Sequence, residues 1–213
     1  MNRVFRGGLY VLGVFLLAVG ITLNTKTGLG VSPIISVAYS VSEIWNLNFG
    51  MVNFFLYCGF VGAELLLLRR MWVIDLLQLP FSFVFSALLG GFGGIISYNS
   101  AAHGLLDNLA LLVLAITLTG AGISLTVNMR LVPNPGDGIV YALAQHMGWK
   151  LGLAKNIFDL SCVLTTCVLG LCFGGEIIGI GLGTLATMAG TGRAVAAING
   201  LWKEKMCRVA GVA

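Results

Sequence analysis

Long apolar runs alternate with short mixed segments along the chain. Each run holds about 20 residues with almost no charge, which is enough for a helix to cross a hydrocarbon core about 30 Å thick. The runs lack the alternating pattern of a barrel strand, so we expect the spans to be helices that satisfy their own backbone hydrogen bonds. The six predicted spans are 7–25, 50–68, 72–97, 104–127, 152–173 and 177–200.

Two shorter segments, 33–46 and 135–147, interrupt this series. Fourteen helical residues reach only about 21 Å, and both segments contain polar and acidic residues, so neither is predicted to span. Each begins with a proline directly after a residue typical of a helix N-cap. The two pairs are Ser32-Pro33 and Asn134-Pro135. We interpret the segments as re-entrant half-helices; an interfacial helix with an ordinary cap is the alternative.

The two halves of the chain align without a gap when the sequence is shifted by 102 residues. Matches of proline, tyrosine and glycine at one fixed offset indicate an internal duplication within one integral domain. Its predicted repeats are 1–100 and 101–213, each with three spans and one half-helix. The most informative matched pairs are Pro33 with Pro135, Tyr39 with Tyr141, Gly50 with Gly152 and Gly90 with Gly192.

Basic residues decide how the repeats are oriented, because lysine and arginine concentrate on the cytoplasmic side of membrane proteins. With both termini in the cytoplasm and both short segments re-entrant, Lys26 is the one exterior residue among the 12 lysines and arginines. If both short segments crossed the membrane instead, giving eight spans, Arg69, Arg70 and Arg130 would lie outside and the bias would weaken. The predicted fold is therefore an all-α polytopic membrane protein with six transmembrane helices plus two re-entrant half-helices, arranged as an inverted-topology repeat.

Composition supports membrane insertion and excludes several other classes. Hydrophobic residues make up 58% of the chain and charged residues 9%, whereas soluble domains carry roughly 25% charged residues. The lipid bilayer is the expected partner, and no surface suits a nucleic acid. The five cysteines and two histidines lack the spacing of a metal site or a disulfide framework, and no nucleophile lies beside a base. We predict no cofactor, no metal and no enzymatic activity.

Asp137 is the most informative single residue, because it falls in the first turn of the second half-helix. An acid inside a membrane protein favours a functional role. It could bind a cation, take up a coupling proton or pair with an ammonium group. The alternative is an aspartate that caps its own helix in an exposed loop. Ile35 occupies the matching position in the first copy, so any site between the copies is asymmetric.

Asp159 lies about two turns inside the fifth predicted span, with Asn156 one turn before it. A lone carboxylate facing lipid would cost about 2.5 kcal/mol or more, so we expect Asp159 to face the protein interior. Lys155, Arg130 or water are the candidate partners. A structural network is the alternative to a functional role.

Other polar residues receive structural interpretations. Glu64, Asp75 and Gln78 are close in sequence to Arg69 and Arg70, which favours ion pairs at the membrane interface. Gly179, Gly181 and Gly183 recur at every second residue rather than at the four-residue spacing of helix packing, which predicts a partly unwound start to the last span.

These patterns favour a small-solute transporter with its site between the N-termini of the half-helices near the membrane midplane. The solute could be zwitterionic or carry a small charge, with ion or proton coupling. A membrane protein that organises or regulates a partner is the alternative, and a homodimer is left open. The predicted substrate-binding residues are Ser32, Pro33, Ser36, Tyr39, Asn134, Pro135, Gly136, Asp137, Tyr141, Asn156 and Asp159.

Three motifs together resemble the YczE/YitT-like bacterial membrane proteins. They are Gly28-Leu29-Gly30-Val31-Ser32-Pro33, Asn134-Pro135-Gly136-Asp137-Gly138 and the segment 179–184. The resemblance covers most of the chain and implies a small protein of the bacterial cytoplasmic (inner) membrane. It implies no particular substrate.

Overall fold

The computed structural model describes residues 2–69 and 73–211, and all regular structure in these ranges is helical. This confirms the all-α prediction. Within residues 2–69 and 73–211, a 3₁₀ turn at Ser100–Ala102 and a π-helical turn at Gly170–Gly174 supplement eight α-helices. The helices are α1 (Asn2–Lys26), α2 (Pro33–Ile44), α3 (Phe49–Leu68), α4 (Val73–Ile95), α5 (Leu105–Met129), α6 (Pro135–Met147), α7 (Leu151–Leu169) and α8 (Leu182–Ala210).

Five segments within the described ranges are long and apolar enough to cross a membrane. They correspond to the first five predicted spans and are Arg3–Lys26, Phe49–Leu68, Ile74–Ala102, Leu105–Met129 and Leu151–Gly174. The sixth predicted span, 177–200, stays a prediction, and the helix found there, α8, runs from Leu182 to Ala210. The residues before it are not helical, with Gly179 in a left-handed conformation (φ 82°), so the expected unwinding at the glycines is confirmed.

The two short helices begin at the predicted prolines, Pro33 and Pro135. Asn134 caps α6, because its Oδ1 accepts a hydrogen bond from the Gly136 amide at 2.9 Å. At the other end, Gly148 adopts φ 67° and its amide bonds back to the last turn. Local cap chemistry therefore sets both boundaries of α6.

The helices form two compact units, and each unit draws on both halves of the sequence. The first unit contains α1, α5, α8 and the end of α4. The second contains α2, α3, α6, α7 and most of α4. The predicted repeats 1–100 and 101–213 stay a prediction. The first unit comprises 1–32, 91–131 and 181–213, and the second comprises 33–90 and 132–180.

In the first unit, α1 and α5 pack against each other in opposite directions. Arg6, near the start of α1, donates hydrogen bonds to the carbonyl oxygens of Met129 at 2.7 Å and Arg130 at 2.8 Å, at the end of α5. Further along α1, Gly20 lies against Thr119, in the middle of α5. The two helices are therefore antiparallel.

Glycines allow the backbones of α1 and α5 to approach closely. A Cβ placed on Gly20 would lie 2.6 Å from the Thr119 amide nitrogen, and one on Gly122 would lie 2.5 Å from the Leu17 amide nitrogen. A shift of 102 residues converts Gly20 into Gly122 and Leu17 into Thr119. The shift of 102 residues that aligns the two halves of the sequence therefore also relates the Gly20–Thr119 contact to the Gly122–Leu17 contact.

Left-handed backbone conformations recur at the same offset. Gly28 (φ 67°) matches Arg130 (φ 47°), and Asn46 (φ 49°) matches Gly148 (φ 67°). The first pair follows α1 and α5, and the second follows α2 and α6. Residues other than glycine rarely adopt positive φ, so these coincidences are informative even where the side chains differ.

In the second unit, each short helix packs on both of the longer helices α3 and α7. Under the offset of 102 residues, α2 corresponds to α6 and α3 to α7. The packing of α2 on α7 is thus matched by that of α6 on α3. This frame positions the first turns of both short helices among buried side chains.

Candidate functional site

The first turn of α6 is held by hydrogen bonds around Asn134. The Asn134 side chain accepts from the amide of Gly136, and its carbonyl oxygen accepts from the amides of Asp137 and Gly138 at 2.9 Å each. The hydroxyl group of Tyr57, buried on α3, interacts with the Asn134 side chain. This network fixes the direction in which α6 begins.

Asp137 projects from this first turn. The residue is exposed, and its carboxyl group is close enough to Lys155 and Asp159 to interact with them electrostatically. The amide groups of a first helical turn carry a partial positive charge, which stabilises a carboxylate there. Asp137 is thus an exposed acidic residue at the start of α6.

Lys155 and Asp159 form an ion pair one turn apart on α7. Asp159 is only 5% exposed, and Lys155 is partly buried. This is the interior orientation expected for Asp159, and Lys155 is one of its predicted partners. Both charges are close enough to Asp137 to act on it electrostatically. The α7 pair therefore belongs to the electrostatic surroundings of the α6 first turn.

Glu64 on α3 and Gln78 on α4 add a second polar pair. Glu64 is 3% exposed and Gln78 is 0% exposed, and Gln78 Nε2 donates to Glu64 Oε2 at 2.9 Å. Both side chains are buried, whereas the ion pairs predicted with Arg69 and Arg70 at the membrane interface stay a prediction. Asp75 is half-buried, and the predicted partner Arg70 lies outside the described residues.

Gly138 makes room for the Glu64–Gln78 pair. A Cβ placed on Gly138 would lie 2.6 Å from Glu64 Oε2 and 2.9 Å from Gln78 Oε1. At the matching contact of α2 with α7, Ser36 takes the place of Gly138 and Thr166 takes that of Glu64, and their hydroxyl oxygens are 2.7 Å apart. The contact of α6 with α3 thus has a glycine and a carboxyl group where that of α2 with α7 has two hydroxyl groups.

The first turns of α2 and α6 touch each other. A Cβ on Gly136 would lie 3.2 Å from Ile34 Cγ2, so an apolar side chain separates the two helix ends. Pro33, Ser36, Pro135 and Gly136 are all buried in this region. The site therefore combines an apolar wall on the α2 side with carboxyl groups on the α3 and α7 sides.

The remaining predicted site residues are less buried or make other contacts. Tyr141 is 52% exposed and Asn156 is exposed too, so the structure does not place them among the buried polar groups. Tyr39 is half-buried and its ring packs edge-on against Phe49 at 6.2 Å. Ser32 ends the first unit, where its amide donates to Asn24 Oδ1 at 3.1 Å.

Sequence reasoning missed Tyr57, Glu64 and Gln78 as members of this site. The available signal was Gly138, since a glycine opposite a serine in an internal repeat indicates that another group approaches the backbone there. Among the residues that the structure describes, histidine, cysteine and acidic side chains form no group of three or more that could hold a metal ion.

Comparisons with known proteins agree with the motifs. Residues 4–200 match a family described as "Family of unknown function (DUF6198)". The chain is also 25% identical over 199 residues to the "Uncharacterized membrane protein YczE" of Bacillus subtilis (strain 168), covering 89% of this chain and 83% of that protein. No solved structure matches. The resemblance inferred from the motifs is confirmed: the chain belongs to the DUF6198 family and is a YczE-like multi-pass membrane protein.

Proposed function

We propose that this protein is a small-solute transporter whose substrate site surrounds the first turn of α6. The observation that carries the proposal is the convergence of polar side chains from four helices in a chain of mostly apolar helices. Ionisable groups inside membrane proteins are costly and mark solute or ion pathways. The convergent residues are Tyr57, Glu64, Gln78, Asn134, Asp137, Lys155 and Asp159.

The proposed architecture has six spans and two re-entrant half-helices, related as an inverted repeat. Its support is the antiparallel packing of α1 and α5, which occupy matching positions in the two halves. Matching helices that run in opposite directions are what an inverted duplication produces. At 29 residues, α8 reaches about 43 Å, which is long enough to be the sixth span.

The short helices are proposed to dip into the membrane and return. With 12 and 13 residues, α2 and α6 reach only about 18–20 Å, less than a hydrocarbon core. Contact between Ile34 and Gly136 brings their first turns together, and backbone ends are tolerated at membrane depth where they are buried or line a wet cavity. A solute held there, near the midplane, could be reached from each side in turn.

The protein is assigned to the bacterial cytoplasmic membrane with both termini in the cytoplasm. Support comes from the basic residues, of which only Lys26 falls outside in this arrangement. The absence of enzymatic activity stays a prediction. The direct test of the function is protein-dependent solute uptake into liposomes, with Asp137→Asn as the informative variant.

The orientation of the two short helices can be tested by cysteine labelling in intact cells. Asn48 and Lys150, related by the offset of 102 residues, directly precede α3 and α7. In a background without the five native cysteines, Asn48→Cys should react with a membrane-impermeant maleimide, and Lys150→Cys only after permeabilisation. Labelling of both positions from one side of the membrane would rule out the inverted arrangement.

A further inference from the structure

We propose that the C-terminal part of α8 binds the headgroups of anionic phospholipids. The binding surface consists of Leu201, Trp202, Lys205 and Arg208, and we call it the α8 basic surface. The inference goes beyond the proposed function, because it depends on insertion of the protein into a membrane and not on transport. The occupant is a phosphate diester that carries a negative charge at the boundary between lipid and water.

The helix α8 runs parallel to α5 and extends beyond its end. A Cβ on Gly120 would lie 2.5 Å from the Cβ of Ala194, and further along both helices Asn128 Nδ2 donates to Asn199 Oδ1 at 2.7 Å. Because the contacts advance along both helices together, α5 and α8 point in the same direction. The α5 helix ends one residue after Asn128, whereas α8 continues to Ala210, about 16 Å beyond Asn199.

The end of α5 marks one membrane boundary of the first unit. This helix is long and apolar enough to cross a membrane, and the guanidinium group of Arg6 donates to the carbonyl oxygens at its end. Trp202 lies about 5 Å beyond Asn199 along α8, which brings it to the same level. Tryptophan is enriched where the hydrocarbon core meets the headgroups. The basic residues that follow Trp202 therefore lie at headgroup level.

The side chains of the α8 basic surface are close together and open to a partner. Leu201, Lys205 and Arg208 follow one another at spacings of four and three residues, which places them on one side of the helix. All three are exposed, and Lys205 Nζ lies 5.4 Å from the centre of the Trp202 ring. In the part of the chain that the structure describes, neither Lys205 nor Arg208 forms an ion pair. Their charges are thus available to an anion.

The chemistry of this surface favours a lipid over a soluble acidic partner. Leu201 is 73% exposed and Trp202 is 56% exposed, and acyl chains would cover both side chains. Residues 201–213 contain three basic residues and one acidic residue, so this end of α8 has a net positive charge. Basic residues directly beyond a membrane-spanning helix attract anionic lipids. One anionic lipid molecule therefore complements both the apolar and the charged part of the surface.

Lipid binding can be measured on the purified full-length protein in micelles of an uncharged detergent. Thermal unfolding is followed while the mole fraction of dioleoylphosphatidylglycerol is raised, with dioleoylphosphatidylcholine as the zwitterionic comparison. The anionic lipid should raise the Tm saturably, because a ligand of the folded state stabilises it, and the zwitterionic lipid should not. Combining Lys205→Gln with Arg208→Gln should raise the half-saturating mole fraction at least about tenfold. Combining Lys205→Arg with Arg208→Lys, which keeps both charges, should leave it unchanged.

A second double variant controls for the loss of two positive charges. Lys26→Gln combined with Lys150→Gln makes the same change in net charge away from the end of α8, and its half-saturating mole fraction should equal that of the wild type. Without the anionic lipid, the variant at Lys205 and Arg208 should keep the wild-type Tm, because both side chains are exposed.

Three results would overturn the proposal. The first is equal stabilisation by the anionic and the zwitterionic lipid. The second is an equal effect of the two charge-removing variants on the half-saturating mole fraction. The third is equal stabilisation by inorganic phosphate or by soluble polyglutamate, which would assign the surface to a free anion or to an acidic protein. None of these results depends on transport, so the proposed function is tested separately.

Discussion

Gly122→Ala is expected to lower the thermal stability of the protein sharply, and Gly20→Ala should lower it by a similar amount. A Cβ on Gly122 would lie 2.5 Å from the Leu17 amide nitrogen, and one on Gly20 would lie 2.6 Å from that of Thr119. These are backbone atoms, so no rotation of a side chain relieves the clash. Overpacking of this kind costs typically about 1–3 kcal/mol, and the rigid partners favour the upper end. Thermal unfolding in micelles measures the loss.

Gly192→Ala is the matched control for the two glycine substitutions. Gly192 lies within α8, and a Cβ there would meet nothing within 4 Å. Alanine is a better helix former than glycine by up to about 1 kcal/mol, so this change should be neutral or stabilising. Equal Tm values for Gly122→Ala and Gly192→Ala would contradict the close crossing of α1 and α5.

Asp137→Asn is expected to reduce uptake of whichever of methylammonium, sodium and potassium the wild-type protein transports by at least roughly a hundredfold. The change keeps the shape of the side chain and removes its charge, and losing one partner of a close charged contact costs about 2–5 kcal/mol. Folding should persist, because the stabilisation of a carboxylate by a helix N-terminus is only about 0.3–1 kcal/mol. Initial rates of uptake of the radiolabelled ion into proteoliposomes, normalised to the reconstituted protein, provide the measurement.

Glu43→Gln controls for the removal of a carboxylate from a short helix. Glu43 is exposed on α2, in the first copy of the repeat, and the substitution makes the same chemical change. Its uptake rate should equal that of the wild type. A rate for Asp137→Asn that also equals the wild-type rate would exclude Asp137 from the transport site.

The starts of the short helices could be predicted because they depend on neighbouring residues. Proline fits the first turn of a helix, and Asn134 directly before Pro135 supplies the cap. The offset of 102 residues was equally accessible, because it needs only the matching of sequence positions. The cap residues and the match between the two halves of the sequence therefore predicted the first turns of α2 and α6 correctly.

The site around α6 could be predicted only in part, because it depends on which face of each helix turns inward. Glu64 and Gln78 lie near helix ends, where apolar periodicity is weak and nearby arginines suggest an interface. Their burial depends on Gly138, which is 60 or more residues away in sequence. On α7, Asp159 faces inward and pairs with Lys155, one of its predicted partners, whereas Asn156 is exposed.

Sequence also could not fix the start of the last helix. The alternate glycines indicated unwinding, but not where it ends. In the structure, the Gly183 amide donates to the carbonyl oxygen of Leu29 at 2.7 Å, and a Cβ on Gly181 would lie 2.4 Å from that same oxygen. This contact between distant segments holds the backbone before Leu182 out of the helix. Such a constraint is tertiary and leaves no local pattern.

Uptake by the wild-type protein tests the central claim most directly. Proteoliposomes and protein-free liposomes of the same lipid are loaded identically and exposed to radiolabelled methylammonium, sodium or potassium under an imposed ion gradient. Transport of a small cation at Asp137 predicts saturable uptake of at least one of these ions that requires the protein and is competed by the unlabelled ion. Identical uptake by proteoliposomes and protein-free liposomes for all three cations, with the protein correctly folded, would contradict cation transport at this residue.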